Sequence, residues 1–343
     1  PAIWIDWVEL EGPLGPSTDG SHSNDWRITN ATDPDVSSRA RKILQQFAFK
    51  AFRGVEAEVE FIDRLTDIFA ARRESGDSFE TAIRLPLSII LASPSFLYLN
   101  EPSNADESRQ LSDRELAVRM AYFLWSGPPD AELLNLARQN RLHLPETRRQ
   151  QVDRMIADPR SRALTNNFAG QWLQLRNLAT IYRPGEPYAV LFDETLRQAM
   201  ITETELFFDS VVREDRGVLE LLTADYTYLN GRLAGHYDIP NIQGAHFRRV
   251  ALSEDSPRRG LLGHGSILTL TSHAIRSSPV LRGKWILNNI LGTPPPDPPP
   301  NVPALDDRKT SARVASMRER MAAHRSNPVC AACHTMIDPA GFA

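Results

Sequence analysis

The chain has 343 residues, of which 41% are hydrophobic, 24% charged and 8% aromatic, the profile of a globular protein rather than a disordered one. Its formal charge of −4 is small for this length and argues against bulk attraction to nucleic acid or to an acidic membrane surface. No apolar run reaches the roughly 20 residues of a membrane span; the longest, Leu85 to Leu99, is broken by Pro86, Ser88, Ser93, Pro94 and Ser95, so the chain does not read as an integral membrane protein.

The chain opens on Pro1 without a Met or a signal-peptide pattern and stops at Ala343, shortly after its only cysteine motif, so both ends read as cut. Ile3, Ile5 and Trp7 alternate with Trp4, Asp6 and Val8, an imperfect period of two that reads as the remnant last strand of an upstream β domain. Gly12 to Asp35 is rich in Gly, Pro, Ser, Asp and Asn and reads as a linker, which makes residues 1–36 a first segment.

From Ser37 the period becomes helical. Ile43, Leu44, Phe47, Ala48, Ala51 and Phe52 share a face that Arg53-Gly54 ends; Val55, Val59, Ile62, Leu65 and Phe69 mark a second helix, and Phe79 to Leu91 a third with Pro86 kinking or starting it. These three make a small helical domain over 37–102. Ser112 with Glu115 is a capping box opening a helix through Trp125, ended by Gly127-Pro128-Pro129. Further helices are predicted at about 130–140, 146–157 and 160–175. A long one runs from Asp193 to about Arg213, with Leu196, Met200, Thr204, Phe207, Phe208 and Val211 facing inward. Leu219 to Leu222 and Asn230 to Tyr237 read as short helices around an extended Asp225 to Leu229, completing a helical domain over 103–252.

Residues 253–292 combine a Gly-rich turn (Gly260, Gly263, Gly265), a polar loop from Thr269 to Pro279, and a helix from Val280 to Leu291. Seven prolines then fall in the eleven residues Thr293 to Pro303, a composition that adopts extended polyproline II and spans roughly 30 Å at about 3.1 Å per residue. This linker, 293–306, precedes a charged helix from Asp307 to His324 whose narrow apolar stripe is Val314, Met317 and Met321. The expected fold is therefore mainly α: a multi-helical body and, after the polyproline linker, a C-terminal segment over 307–343.

That segment carries Cys330-Ala331-Ala332-Cys333-His334, and the chain has no other cysteine. In C-x-x-C-H the two thiols reach one porphyrin edge as thioethers, and the adjacent histidine binds the iron from below. The pattern therefore points to one covalent haem c, with Cys330 and Cys333 as attachment points and His334 as the proximal ligand. A redox dithiol wants a strand before and a helix after the motif, which a polyproline run and a charged helix do not supply. A structural zinc site wants four donors, and only His324 lies near in sequence. A free or disulfide-bonded pair is the remaining alternative.

Several stretches resemble planctomycete-type multidomain proteins built of successive domains of unknown function and associated with a c-type cytochrome motif. They are Leu111 to Ser126, Asn167 to Leu175, Asp225 to Asn230, Ser278 to Trp285 with Leu291 to Pro296, and Cys330 to Phe342 with its Ile337-Asp338-Pro339. The resemblance runs from about residue 38 to the end. It implies haem c and a longer parent protein, and leaves the activity open.

For the sixth iron position His264 and His273 are candidates, since both lie in a Gly- and Ser-rich stretch; their ordinary role would be as hydrogen-bonded histidines. Met336 follows His334 too closely to reach the opposite haem face. Arg276, Arg282, Lys284 and Trp285 are candidates for haem propionates, against the ordinary roles of helix capping and solvated charge. Trp125 and Trp172 fall on apolar helix faces and read as core. Three functions fit. One is electron transfer with an unknown redox partner protein; another is a haem-dependent, peroxidase-like oxidative enzyme with an open iron position. The third is an envelope scaffold whose missing upstream module binds carbohydrate. All three place the chain in the periplasm or elsewhere in the cell envelope.

Overall fold

The structure, a computed structural model, describes residues 36–99, 109–180, 192–273, 276–296 and 316–342. The expected N-terminal strand and linker, most of the polyproline linker, and the start of the charged helix as far as residue 315 lie outside the described residues. The described chain is mainly α and divides into two compact units, residues 1–115 and 116–343.

The first unit holds α1 (Val36–Ala51), α2 (Val59–Glu74), α3 (Phe79–Ala92) and the short α4 (Pro94–Leu97). α1 ends where Arg53 and Gly54 both take the left-handed conformation, φ 59° and 80°, which closes the last turn. Leu44, Ile62, Leu65, Phe69, Ile83 and Ile90 interlock as the core of the bundle. Val59 is 62% exposed, so the inward face of α2 starts at Ile62 rather than at Val55 or Val59. Ser78 caps α3 by accepting the Thr81 amide at 3.1 Å. Pro86 stays inside α3 as one continuous helix, its ring buried on the core face. Arg53 donates to the carbonyls of Ser95 and Phe96 at 2.9 and 2.6 Å, tying the end of the bundle to the end of α1.

At the junction the predicted capping box is present: Ser112 donates its amide to Glu115 at 2.8 Å, and the Glu115 amide returns to the Ser112 hydroxyl at 3.3 Å. A guanidinium fork from Arg109 grips the same carboxylate, and its hydrogen bond holds Glu115 down to about 2. This box opens α5 (Asp113–Trp125), which is followed by α6 (Ala131–Arg138) and α7 (Pro145–Ala157).

The helix predicted over 160–175 is helical but not regular. A 3-10 turn (Pro159–Ser161) leads into a π-helical stretch (Leu164–Ala169) and then α8 (Gly170–Trp172) and α9 (Asn177–Thr180). α10 (Glu194–Arg213) is capped by Asp193, which accepts the Leu196 amide at 2.7 Å. It buries the six residues expected, and Glu203 as well.

After α11 (Glu220–Thr223), β1 (Tyr226–Leu229) pairs antiparallel with β2 (Arg248–Ala251), Tyr226 opposite Ala251, with α12 (Gly231–His236) between them. Gly260, at φ 49°, brings the backbone against Leu221 and Leu222, an approach no Cβ would permit. α13 (Gly265–Leu270) follows. The stretch read as a polar loop contains a two-residue ladder, β3 (Ser272–His273) with β4 (Arg276–Ser277). α14 (Pro279–Trp285) then widens into a second π-helical stretch (Ile286–Ile290).

The second π-helical stretch meets α8. Trp172 donates its indole N–H to the Asn289 carbonyl, and Asn289 donates its amide to the Trp172 carbonyl, both at 2.5 Å. A wound-out turn frees backbone carbonyls, and here the Asn289 carbonyl is satisfied by an indole N–H from α8. The chain ends in α15 (Met317–His324) and α16 (Pro328–Gly341). Among the described residues no helix is long and apolar enough to cross a membrane.

Candidate haem-attachment site

α16 begins at Asn327, whose side chain accepts the Val329 amide at 3.0 Å, with Pro328 at the first helical position. The whole C-x-x-C-H motif therefore lies on regular helix. Cys330 and Cys333 are three residues apart and so neighbours on one face, with His334 one turn on from Cys330. Both thiols are free and partly exposed. Val329 and Met336 flank them and are 63% and 41% exposed, an apolar surface turned to solvent around the motif.

His334 is oriented from below. Its Nδ1 lies 2.8 Å from Oδ1 of Asp338, one turn further along and fully buried, which leaves Nε2 as the nitrogen for a metal. Oδ2 of Asp338 faces the Arg325 guanidinium at 3.3 Å. The His324 ring packs edge-on against that of His334, centroids 4.8 Å apart. The donors do not converge on a point: among the described residues no group of three or more His, Cys, Asp or Glu is arranged to hold a metal ion directly. Two thiols and an imidazole spread along a helix suit a macrocycle, so the residues fit a haem.

α16 is held against α14. A Cβ at Gly283 would run into the Ile337 carbonyl, and one at Gly341 into the Pro279 carbonyl. The pairs 283 with 337 and 279 with 341 make the helices antiparallel and in backbone contact. The motif, N-terminal to Ile337, therefore points towards the Ile286–Ile290 end of α14, with which α16 is also in contact. At the crossing the helices leave no gap for a porphyrin. From Val329 to Met336 the exposed residues of α16 are Val329, Ala332, Thr335 and Met336.

The other candidate residues are scattered. His264 is buried: its Nδ1 lies 3.1 Å from the Thr204 hydroxyl, which meets Ser266 at 2.7 Å, and its ring packs edge-on against Phe207. Burial, with the charge of Arg258 nearby, pushes its value down to about 3, so it is a neutral interior group. His273 is exposed on β3, opposite Arg276 on β4, at the Pro279 end of α14 and thus away from the motif end. Arg282 is half-buried and its guanidinium is pushed down by desolvation. Lys284 is exposed, and Trp285 lies in the core with a buried indole N–H that makes no hydrogen bond. The two tryptophans read as core divide: Trp125 is buried and donates to the Met155 carbonyl at 3.0 Å, while Trp172 is half-buried beside the exposed Phe168.

Three family models match in succession, each described as a protein of unknown function: DUF1595 over residues 39–101, DUF1592 over 111–239 and DUF1588 over 258–343. This order is the planctomycete-type, cytochrome-associated multidomain arrangement. The chain belongs to that family. The motif, α14 and α16 all fall within its third domain. No curated protein and no solved structure matches the chain.

Asp338, Arg325, Gly283 and Gly341 were missed as site residues by reasoning from sequence. An i,i+4 His–Asp pair on a helix was a signal for the first; nothing local signals the glycines, whose partners lie on another helix.

Proposed function

We propose that the chain is a c-type haem protein of the cell envelope that carries single electrons. Cys330 and Cys333 would attach the haem covalently, and His334 would ligate its iron. The observation that carries this reading is the motif's setting. Two free, partly exposed thiols lie on one helix face, and the adjacent imidazole is already fixed through Nδ1 with Nε2 left for iron. The name of the third domain's model, PSCyt3, supports it with a cytochrome label. A bound haem supplies one-electron chemistry. The chain's own residues hold it in register: Asn327 and Pro328 start the helix, and Gly283 and Gly341 let α16 dock on α14. Thioether attachment is made outside the cytoplasm, so this reading also places the protein in the periplasm or envelope.

The test is expression of the chain in an exporting host with haem-maturation machinery. The intact mass should rise by one haem that resists acid–acetone extraction, and Cys330→Ser with Cys333→Ser should abolish the gain. An extractable haem, or none, under those conditions overturns the proposal.

A further inference from the structure

The contacts of Asp338 are more specific than helix packing requires. Its side chain is fully buried on a helix that is otherwise part-exposed around the motif. One oxygen takes the Nδ1 of His334 at 2.8 Å; the other accepts no hydrogen bond and faces Arg325 at 3.3 Å, with Arg325 itself on the turn between α15 and α16. A buried carboxylate is costly unless its charge is used by neighbours. Here the neighbours are the imidazole and one guanidinium. The second observation is the geometry of α16: an i,i+4 spacing puts Asp338 one turn from His334, on a part of the helix whose backbone is in contact with α14 at Ile337 and Gly341.

We propose that Asp338 and Arg325 form an opposed pair that sets the electron density on His334, and with it the reduction potential of the haem. The inference rests on the haem reading above and deepens it. A histidine that ligates a metal through one nitrogen is tuned by what accepts from the other. Asp338 accepts the Nδ1 proton, fixes the tautomer and ring plane, and lends negative charge, which makes Nε2 a stronger donor and favours ferric over ferrous iron. Arg325 draws on the same carboxylate and moderates that effect. Asp338 is thus a positioning residue with an electronic consequence, and Arg325 its counterweight.

The two substitutions should act in opposite directions. In the full-length holoprotein, Asp338→Asn keeps an oxygen for Nδ1 but removes the charge. Its midpoint potential should rise by about 59 mV for each tenfold loss of ferric preference, and the ferrous iron–histidine stretching frequency should fall. Arg325→Gln leaves the carboxylate uncompensated, and its potential should fall. General loosening of the segment would shift both variants the same way, so shifts of one sign overturn the inference, as do unchanged potentials and frequencies. Should Asp338→Asn not fold, an Arg325→Gln potential that fails to fall is sufficient to overturn it. A wild-type chain that takes up no covalent haem overturns the parent reading and this one with it; a wild-type holoprotein insensitive to these residues overturns this one alone.

Discussion

Glu203 sits in the interior of the second unit, 1% exposed, where Thr227 and Tyr237 each donate a hydroxyl to it at 2.6 Å and the Gly265 amide donates to the same tyrosine oxygen at 2.7 Å. Burial pushes its value up from an ordinary 4.5 to about 7, against the pull of those two hydrogen bonds. The folded state therefore holds the proton more tightly than the unfolded chain. The stability this confers is complete below the unfolded value, falls as pH rises through about 7, and then levels. The span of the loss is on the order of 3 kcal/mol. Glu203→Gln keeps the shape without the charge, since one hydroxyl can turn to accept. The variant should lose less stability than the parent between pH 5 and pH 8 in urea unfolding. Parallel pH profiles would show that the carboxyl does not titrate across that range.

Glycines show how the same residue type does opposite things in two helices. Ala at a helix interior is ordinarily favoured over Gly by about 1 kcal/mol. At Gly235 in α12 a Cβ would meet nothing within 4 Å, so Gly235→Ala should be neutral or stabilising. At Gly283 the Cβ would run into the Ile337 carbonyl, and backbone cannot rotate away as a side chain can. Overpacking costs of about 1–3 kcal/mol or more outweigh the propensity gain there. Gly283→Ala should therefore lower the thermal midpoint and speed proteolysis between residues 316 and 342, while Gly235→Ala does neither. Equal behaviour of the two variants would remove the case for close helix contact. At the same scale, the predicted ends of α1, α5 and α10 agree with the structure to within a residue or two, because Arg53-Gly54, Ser112/Glu115 and Asp193 act through local hydrogen bonds. The π-helical stretches were not legible. Leu164–Ala169 has an ordinary helical composition, and the carbonyl of Asn289 in the second stretch is satisfied by Trp172, more than a hundred residues away.

The molecule as a whole has separate cores. That of the first unit, around Leu65 and Phe69, shares no residue with that of the second, around Leu133, Leu173 and Phe207. Leu65→Ala should cost about 2–5 kcal/mol. In region-resolved hydrogen exchange the loss should appear over residues 36–99, with the protection of α10 and α16 unchanged. A uniform loss across the chain would mean that the units unfold as one.

The sequence by itself determined the mainly α class, the order of the main helices, most of their inward faces and the C-x-x-C-H motif. Each of these follows from a period, a cap or a spacing within a dozen or so residues. Tertiary structure alone decided which polar groups are buried and which helices touch. His264 and His273 read alike in sequence, yet one is sealed against Thr204 and Phe207 and the other is exposed on a two-residue strand. Asp338 was only one letter of a motif until the fold buried it against His334 and Arg325. The physical reason is the same in each case: a side chain's environment is set by residues distant in sequence, and only close packing brings them together.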